Sequence, residues 1–213
     1  MKPACRQAGP PNPKISVLMS PYPNRLCQQL DPFIQHAVVH EQFFPQEYSV
    51  ALRPVTLAAP ENDVHTIAAW MQQGYDSQQT ADQLQVMYII IAESDSSQSF
   101  MVLWNNMPVG QLDIYLVSQD VLKDSYPSKE GDYRLHIPVI PIMQQHADLP
   151  VQVVQTCLTY FFSFPETERI IWCIHVSDEA CKSIALLTGF GLLHSFMDGD
   201  REMLVFAKQS AAS

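Results

Sequence analysis

The residues whose types and spacing could do chemistry gather around one stretch, Gly131–Pro141 (GDYRLHIPVIP). At its centre is His136, and imidazole is the side chain that most readily exchanges a proton near neutrality. Tyr133, Leu135, Ile137 and Val139 alternate with Arg134, His136, Pro138 and Ile140. That period of two predicts a β-strand, with His136 on the face opposite Leu135 and Val139. Pro138 and Pro141 each remove a ladder donor, so the end of the strand should splay or stand unpaired on one side. A loop, Gln144–Pro150, and an apolar helix, Val151–Phe164, come next. A free strand edge can receive an extended ligand, and the helix N-terminus behind it can receive an anion. Downstream, His175 lies in an apolar strand, where a satisfied core histidine is the competing reading. Asp178 stands at a helix start, where a plain N-cap competes with any catalytic role. Upstream, Asp113 and Tyr115 share one strand face at i, i+2. Together they could hold an amine, against the alternative of an ordinary solvent face. Trp70, at the end of a helix, reads as core or as a substrate wall.

Composition bounds the setting for these residues. The 213-residue chain is 47% hydrophobic and 16% charged, which suits one domain with a real core. Residues 46–213 are expected to form it, with 1–45, where eight prolines fall, as a partly disordered or peripheral extension. No apolar run approaches the roughly 18 residues of a membrane span, and no apolar leader opens the chain. Five cysteines without a CxxC pair read as reduced thiols in a cytoplasmic protein, with Cys157, Cys173 and Cys181 in the core. The net charge of −10 argues against nucleic-acid binding. Between Arg53 and Lys123 there is no lysine or arginine, yet Glu61, Asp63, Asp76, Asp82, Glu93, Asp95, Asp113 and Asp120 fall there. A field of that sign attracts cations, amines included, although most such residues serve as a solvated surface.

The elements that must position the chemistry follow from periodicity. Asn24–Phe44 has weak helical spacing through Leu26, Leu30, Phe33 and Val38. Glu47–Leu57 alternates as a strand. Pro60–Asp63 opens a helix whose buried stripe is Val64, Ile67, Ala68 and Met71. Ser77–Glu93 reads as a helix capped by Ser77, with Tyr88–Ile91 open to a strand reading. Ser99–Trp104 and Val109–Val117 form a hairpin across Asn105-Asn106-Met107-Pro108. Arg169–Val176 is a strand buried on both faces. Ser177-Asp178 caps a helix, Glu179–Thr188, ended by Gly189. Gly191–Phe196 and Glu202–Ala207 make a last hairpin. The order β-α-α-β-β-β-α-β-α-β-β is that of an α/β, or α+β, mixed sheet.

This order and the residues near its end resemble the GNAT acyltransferase fold. Members often carry N-x-x-A-x-x-x-Y-x-x-x-G-F after the fifth strand. Here Asp178, Cys181 and Ala185 stand at the Asn, Ala and Tyr positions, and Gly189-Phe190 match. Within the superfamily the chain is most similar to siderophore-biosynthesis N-acyltransferases of the N-hydroxylysine type. Pro108-Val109 through Asp113 and Tyr115, Arg134-Leu135-His136, and Pro165 to Arg169-Ile170 carry that likeness. Two departures stand out. The pyrophosphate loop Q/R-x-x-G-x-G/A keeps only Gln144, since no glycine lies between Gly131 and Gly189, and glycine there lets backbone N–H groups approach phosphate. The usual tyrosine acid is Ala185.

The resemblance implies transfer of an acyl group from acetyl-CoA or another acyl-CoA, as co-substrate, to an amine or N-hydroxylated amine, without a metal. His136 would be the base or would position the acceptor, with His175 and Asp178 orienting it. Val139 or Ile140 would offer a backbone N–H to the thioester oxygen. The coenzyme path would run along Pro141, Ile142, Met143, Gln144, Gln145, His146, Ala147, Asp148, Leu149, Pro150 and Val151. Asp113, Tyr115 and Trp70 would hold the acceptor. Two further readings stay open: a non-catalytic ligand-binding module of the same fold, and an acyltransferase fed by an acyl carrier protein.

Overall fold

The computed structural model describes residues 25–45, 48–74, 79–139 and 146–210. Their elements are β1 (His40–Phe44), β2 (Tyr48–Pro54), α1 (Asp63–Gly74), α2 (Ala81–Ala92), β3 (Ser97–Trp104), β4 (Met107–Leu116), β5 (Asp132–Val139), α3 (Leu149–Phe161), β6 (Arg169–His175), α4 (Glu179–Leu187), β7 (Gly191–Asp198) and β8 (Arg201–Gln209). Alternating strands need their apolar faces covered, and one mixed sheet in the order β1-β2-β3-β4-β5-β6-β8-β7 meets that need. Only β5 and β6 run parallel; every other neighbouring pair is antiparallel. This is the expected mixed α/β architecture, with one more strand at its start.

Strand alternation sorts the side chains into two layers. Phe100, Val102, Leu112 and Ile114 point to one face, where Val153, Cys157 and Phe161 of α3 and Ala185 of α4 close the main core. Met101 and Leu103 point to the other, where Val64 and Ile67 of α1 meet Leu84 and Tyr88 of α2. Beyond that pair of helices the same face is covered by two single-turn helical segments, Val117–Gln119 and Val121–Asp124, which seat Val117 and Leu122 over Ile171 and Val205. No helix among the described residues is long and apolar enough to cross a membrane.

Local chemistry explains the joints. Asp63 opens α1 by taking the Arg53 guanidinium at 2.8 Å and the Thr56 N–H at 2.8 Å. Thr80 and Gln83 form a reciprocal capping box on α2. Asn105 and Asn106 both have positive φ, 48° and 64°, in a two-residue turn matched to the strand twist. Gly131 turns into β5 at φ 78°, and a Cβ there would meet Glu168 Cγ at 2.7 Å.

Several expectations need correction. The segment read as a weak helix over Asn24–Phe44 has no helix in its described part; it ends in β1, which pairs with β2. Strand pairing outweighs a sparse 3.6-residue spacing there. Leu26 and Cys27 are buried in the main core, so residues 25–45 join the body of the domain. Residues 1–24 and the Ser77 cap lie outside the described residues, and α2 is capped by Thr80 instead. Tyr88–Ile91 is helical. The helix expected at Val151–Phe164 starts two residues earlier, with Pro150 in its first turn. Cys157 is in the core, whereas Cys173 and Cys181 are half-buried.

Candidate active site

The region around His136 is built by three strands. Ser99 of β3, Asp113 of β4 and His136 of β5 are cross-strand neighbours in one row. The row lies on the α1–α2 face of the sheet. His136 Nδ1 is 3.2 Å from Asp113 Oδ2; the imidazole is half exposed and the carboxylate only 2% exposed. Ser99 Oγ and Gln111 Nε2 both donate to Asp113 Oδ1, each at 2.5 Å. Burial and the adjacent Asp113, which accepts a hydrogen bond from the phenol, push the Tyr115 pKa up. A carboxylate is an acceptor, so Nδ1 of His136 is the protonated nitrogen and Nε2 carries the free lone pair. Such an arrangement can hold an imidazole in one tautomer with its second nitrogen able to accept a proton.

The second feature is an opening beside His136. Pairing between β5 and β6 runs from Asp132↔Arg169 to Leu135↔Trp172 and stops, although β5 continues to Val139 and β6 to His175. The Leu116 N–H bonds back to Ser96 O, which fixes the alternation along β4: Asp113 and Tyr115 face β5 with their backbone groups. Their partners Arg134 and His136 therefore aim backbone groups at β4, and Tyr133, Leu135 and Ile137 aim theirs at β6. Since β6 has parted by then, the Ile137 N–H has no strand partner and opens into the gap. A bulge sets Ile137 and Pro138 against Leu112 and adds to the divergence. Of the two residues expected to offer a donor, Val139 pairs with Gln111, and Ile140 lies outside the described residues.

The two sides of the gap differ. On one face α3 and α4 begin, both N-termini directed toward the open end. On the other is a cavity of about 320 Å³ between His136 and Cys173, walled by Val121, Leu122, Phe196, Asp198 and Met203. Burial pushes the Cys173 thiol up to about 12, so it is a neutral wall residue and not a thiolate nucleophile.

The remaining sequence-derived residues fall as follows. Asp113 and Tyr115 share a face as expected, but that face is interior, so Asp113 serves His136 and does not meet solvent. Trp70 packs against the core under α1 and α2. Asp178 caps α4, its carboxylate accepting from the Cys181 N–H at 3.0 Å. His175 is held in a turn with Ser177, whose N–H donates to Nδ1 at 3.2 Å. Neither hydrogen-bonds to His136 among the described residues. Pro141, Ile142, Gln144 and Gln145 lie outside the described residues. His146 packs its ring on Trp104 and Tyr48, with centroids 4.7 and 6.0 Å apart. Leu149 is fully buried in the main core, whereas Ala147 and Asp148 are exposed and Pro150 and Val151 half-buried at the start of α3. Among the described residues no group of three His, Cys, Asp or Glu could hold a metal ion. Ser99 and Gln111, the donors to Asp113, were not singled out by the sequence reading.

Comparison with known proteins agrees with this fold. The chain resembles in structure a protein from Bacillus halodurans, with 17% identity, TM-score 0.71, and 84% of this chain and 92% of that chain covered. It also resembles the aminoglycoside acetyltransferase AAC(6')-Ib in complex with coenzyme A, with 16% identity, TM-score 0.66, and coverages of 76% and 96%. A third match is an acetyltransferase from Salmonella typhimurium that modifies the N-terminal serine of ribosomal protein L7/L12, with 13% identity, TM-score 0.57, and coverages of 75% and 94%. No curated protein matches the chain. The family model described as an acetyltransferase (GNAT) domain matches residues 59–196, and over that span the chain belongs to the GNAT acetyltransferase family.

Proposed function

We propose that the chain is an acyl-CoA-dependent N-acyltransferase that acylates an amine or N-hydroxylated amine. The observation that carries the reading is the end of β5–β6 pairing at Leu135↔Trp172, which frees the Ile137 N–H next to the His136–Asp113 pair. The residues present fit a pantetheine thioester. An unpaired strand edge offers main-chain hydrogen bonds to an amide-bearing tail, and the first turn of α3 offers N–H groups and a positive dipole end. Acetyl-CoA would supply the activated acyl carbonyl, whose sulfur leaves as the new C–N bond forms. His136 Nε2 takes the proton that the attacking nitrogen must lose. Asp113 holds the ring in place and balances the charge it acquires, as Ser99 and Gln111 hold Asp113. The Ile137 N–H faces the oxygen that gains charge in the transition state. The acceptor enters from the cavity face, the acyl donor from the α3 face. The likeness at Pro108–Tyr115 and Arg134–His136 supports a siderophore-type hydroxylamine acceptor and a cytoplasmic setting as the finer reading.

Acetyl-CoA is expected to raise the melting temperature. At about 100 times Kd the native state gains about 2.7 kcal/mol, or roughly 5–10 °C for a chain of this size. Differential scanning fluorimetry reads this directly. No shift at millimolar ligand would favour a non-catalytic module, the reading supported by the missing loop glycines. A shift only with an acylated carrier protein would favour that donor.

A further inference from the structure

We propose that the free edge of β7 is the interface to a second copy of this chain. The two β7 strands pair antiparallel about a two-fold axis at Ser195 and join the two sheets into one.

The two edges of the sheet are β1 and β7, and they differ in how they are protected. β1 is five residues long, carries Glu41 and is followed at once by Pro45. Short length, charge and proline all discourage pairing with another chain. β7 is eight residues long, and seven of them are exposed. It contains no lysine and no proline, and its one charged residue, Asp198, is the last. Its backbone is set for pairing. The hairpin closes through a two-residue turn at Asp198↔Arg201, with Gly199 at φ 63°, and such a turn is closed by a hydrogen-bonded pair. Phe196, opposite Met203, and His194, opposite Val205, therefore also aim their backbone groups at β8. Ser195 and Met197 aim theirs outward, where the sheet has no further strand.

Charge and composition select the occupant. A net charge of −10 makes most surfaces of two copies repel each other. Residues 183–197 hold no Asp, Glu, Lys or Arg, so this edge is a neutral window. It is also apolar. Leu186 and Leu187 on the last turn of α4, and Leu192 and Met197 on β7, are each 60% exposed or more, and Leu193 is exposed beside them. Those five offer on the order of 500 Å² of apolar surface per copy; a standard interface takes about 800 Å² from each partner, a little over half of it apolar. The strand is self-complementary as well. With Ser195 on the axis, its N–H and C=O meet those of the second Ser195. Leu193 then lies against Met197 of the other copy and His194 against Phe196, each contact made twice, and no charge meets a like charge.

Sedimentation velocity at micromolar concentration tests this. The full chain should sediment as a dimer. Ser195→Pro should halve the mass and keep the fold, because the N–H it removes faces away from β8. Leu193→Lys should also give a monomer. Leu193→Lys combined with Met197→Glu should restore the dimer, since each lysine then faces a glutamate of the other copy. Thermal melting shows whether each variant is folded; should Ser195→Pro or Leu193→Lys fail to fold, Met197→Lys, at an exposed position, takes its place and should be monomeric. A full chain that sediments as a monomer, a dimer untouched by Ser195→Pro, or a double variant that stays monomeric overturns the pairing about Ser195.

Discussion

Replacing His136 with alanine lowers kcat by about 10²-fold or more, with the affinity for acetyl-CoA unchanged. Two observations set this expectation. The ring is oriented through Nδ1 by a carboxylate that is itself fixed by Ser99, Gln111 and Tyr115, and it borders the point where β5 and β6 part. A residue that only helped to pack the strand would not be half exposed. Acceptor chemistry sharpens the result. An amine already unprotonated at the assay pH has less need of a base, so the penalty in His136→Ala should shrink for acceptors of lower amine pKa. Steady-state rates with a series of acceptors check this; turnover within twofold of the parent for all of them removes His136 from proton transfer.

Asp132→Ala destabilises the fold by about 3–5 kcal/mol, because it strands a buried guanidinium. Asp132 accepts from Arg169 Nε at 2.7 Å and Nη2 at 2.6 Å, from the Tyr126 hydroxyl at 2.7 Å and from the Lys129 N–H at 2.9 Å. The Arg169 side chain is 7% exposed, so water cannot replace the lost partner. Taking 2–4 °C per kcal/mol for this chain length, the midpoint should fall by about 10 °C. Urea and thermal unfolding measure it, and a loss below about 1 kcal/mol would show that the pair is not buried as described. This pair closes the lower end of the β5–β6 ladder and confines the opening to the stretch beyond Leu135. Its loss should therefore also raise KM for the acyl donor.

The fold was readable where one short-range rule decides. Period-two runs marked β2 and β5, an apolar run buried on both faces marked β6, and the Asn-Asn turn marked the β3–β4 hairpin. The stripe Val64–Ile67–Ala68–Met71 gave α1, and Ser177-Asp178 with Gly189 bracketed α4. The prolines near β5 foretold a broken edge, and the ladder to β6 does end early. Rules that depend on distant partners were not readable. Asp113 looks like a solvent-face acid because alternation says only that it shares a face with Tyr115; α1 and α2, packed on that face, make it interior. A buried Ser99–Gln111–Asp113 cluster has the same pattern as an exposed one. The bulge in β5 opposite Leu112 was not readable, because it depends on cross-strand register, which one strand cannot report. β1 was missed because five residues followed at once by Pro45, with Phe43 exposed, carry little period of their own.

An amide NMR titration with coenzyme A tests most directly whether the opening between β5 and β6 receives the acyl donor. The Ile137 amide and those of Val151 and Gln152 in the first turn of α3 should shift in a saturable way, while Asp132 and Arg169 at the closed end stay put. Saturable shifts confined to other surfaces, or none at millimolar coenzyme A, would contradict the assignment of that opening as the acyl-donor site.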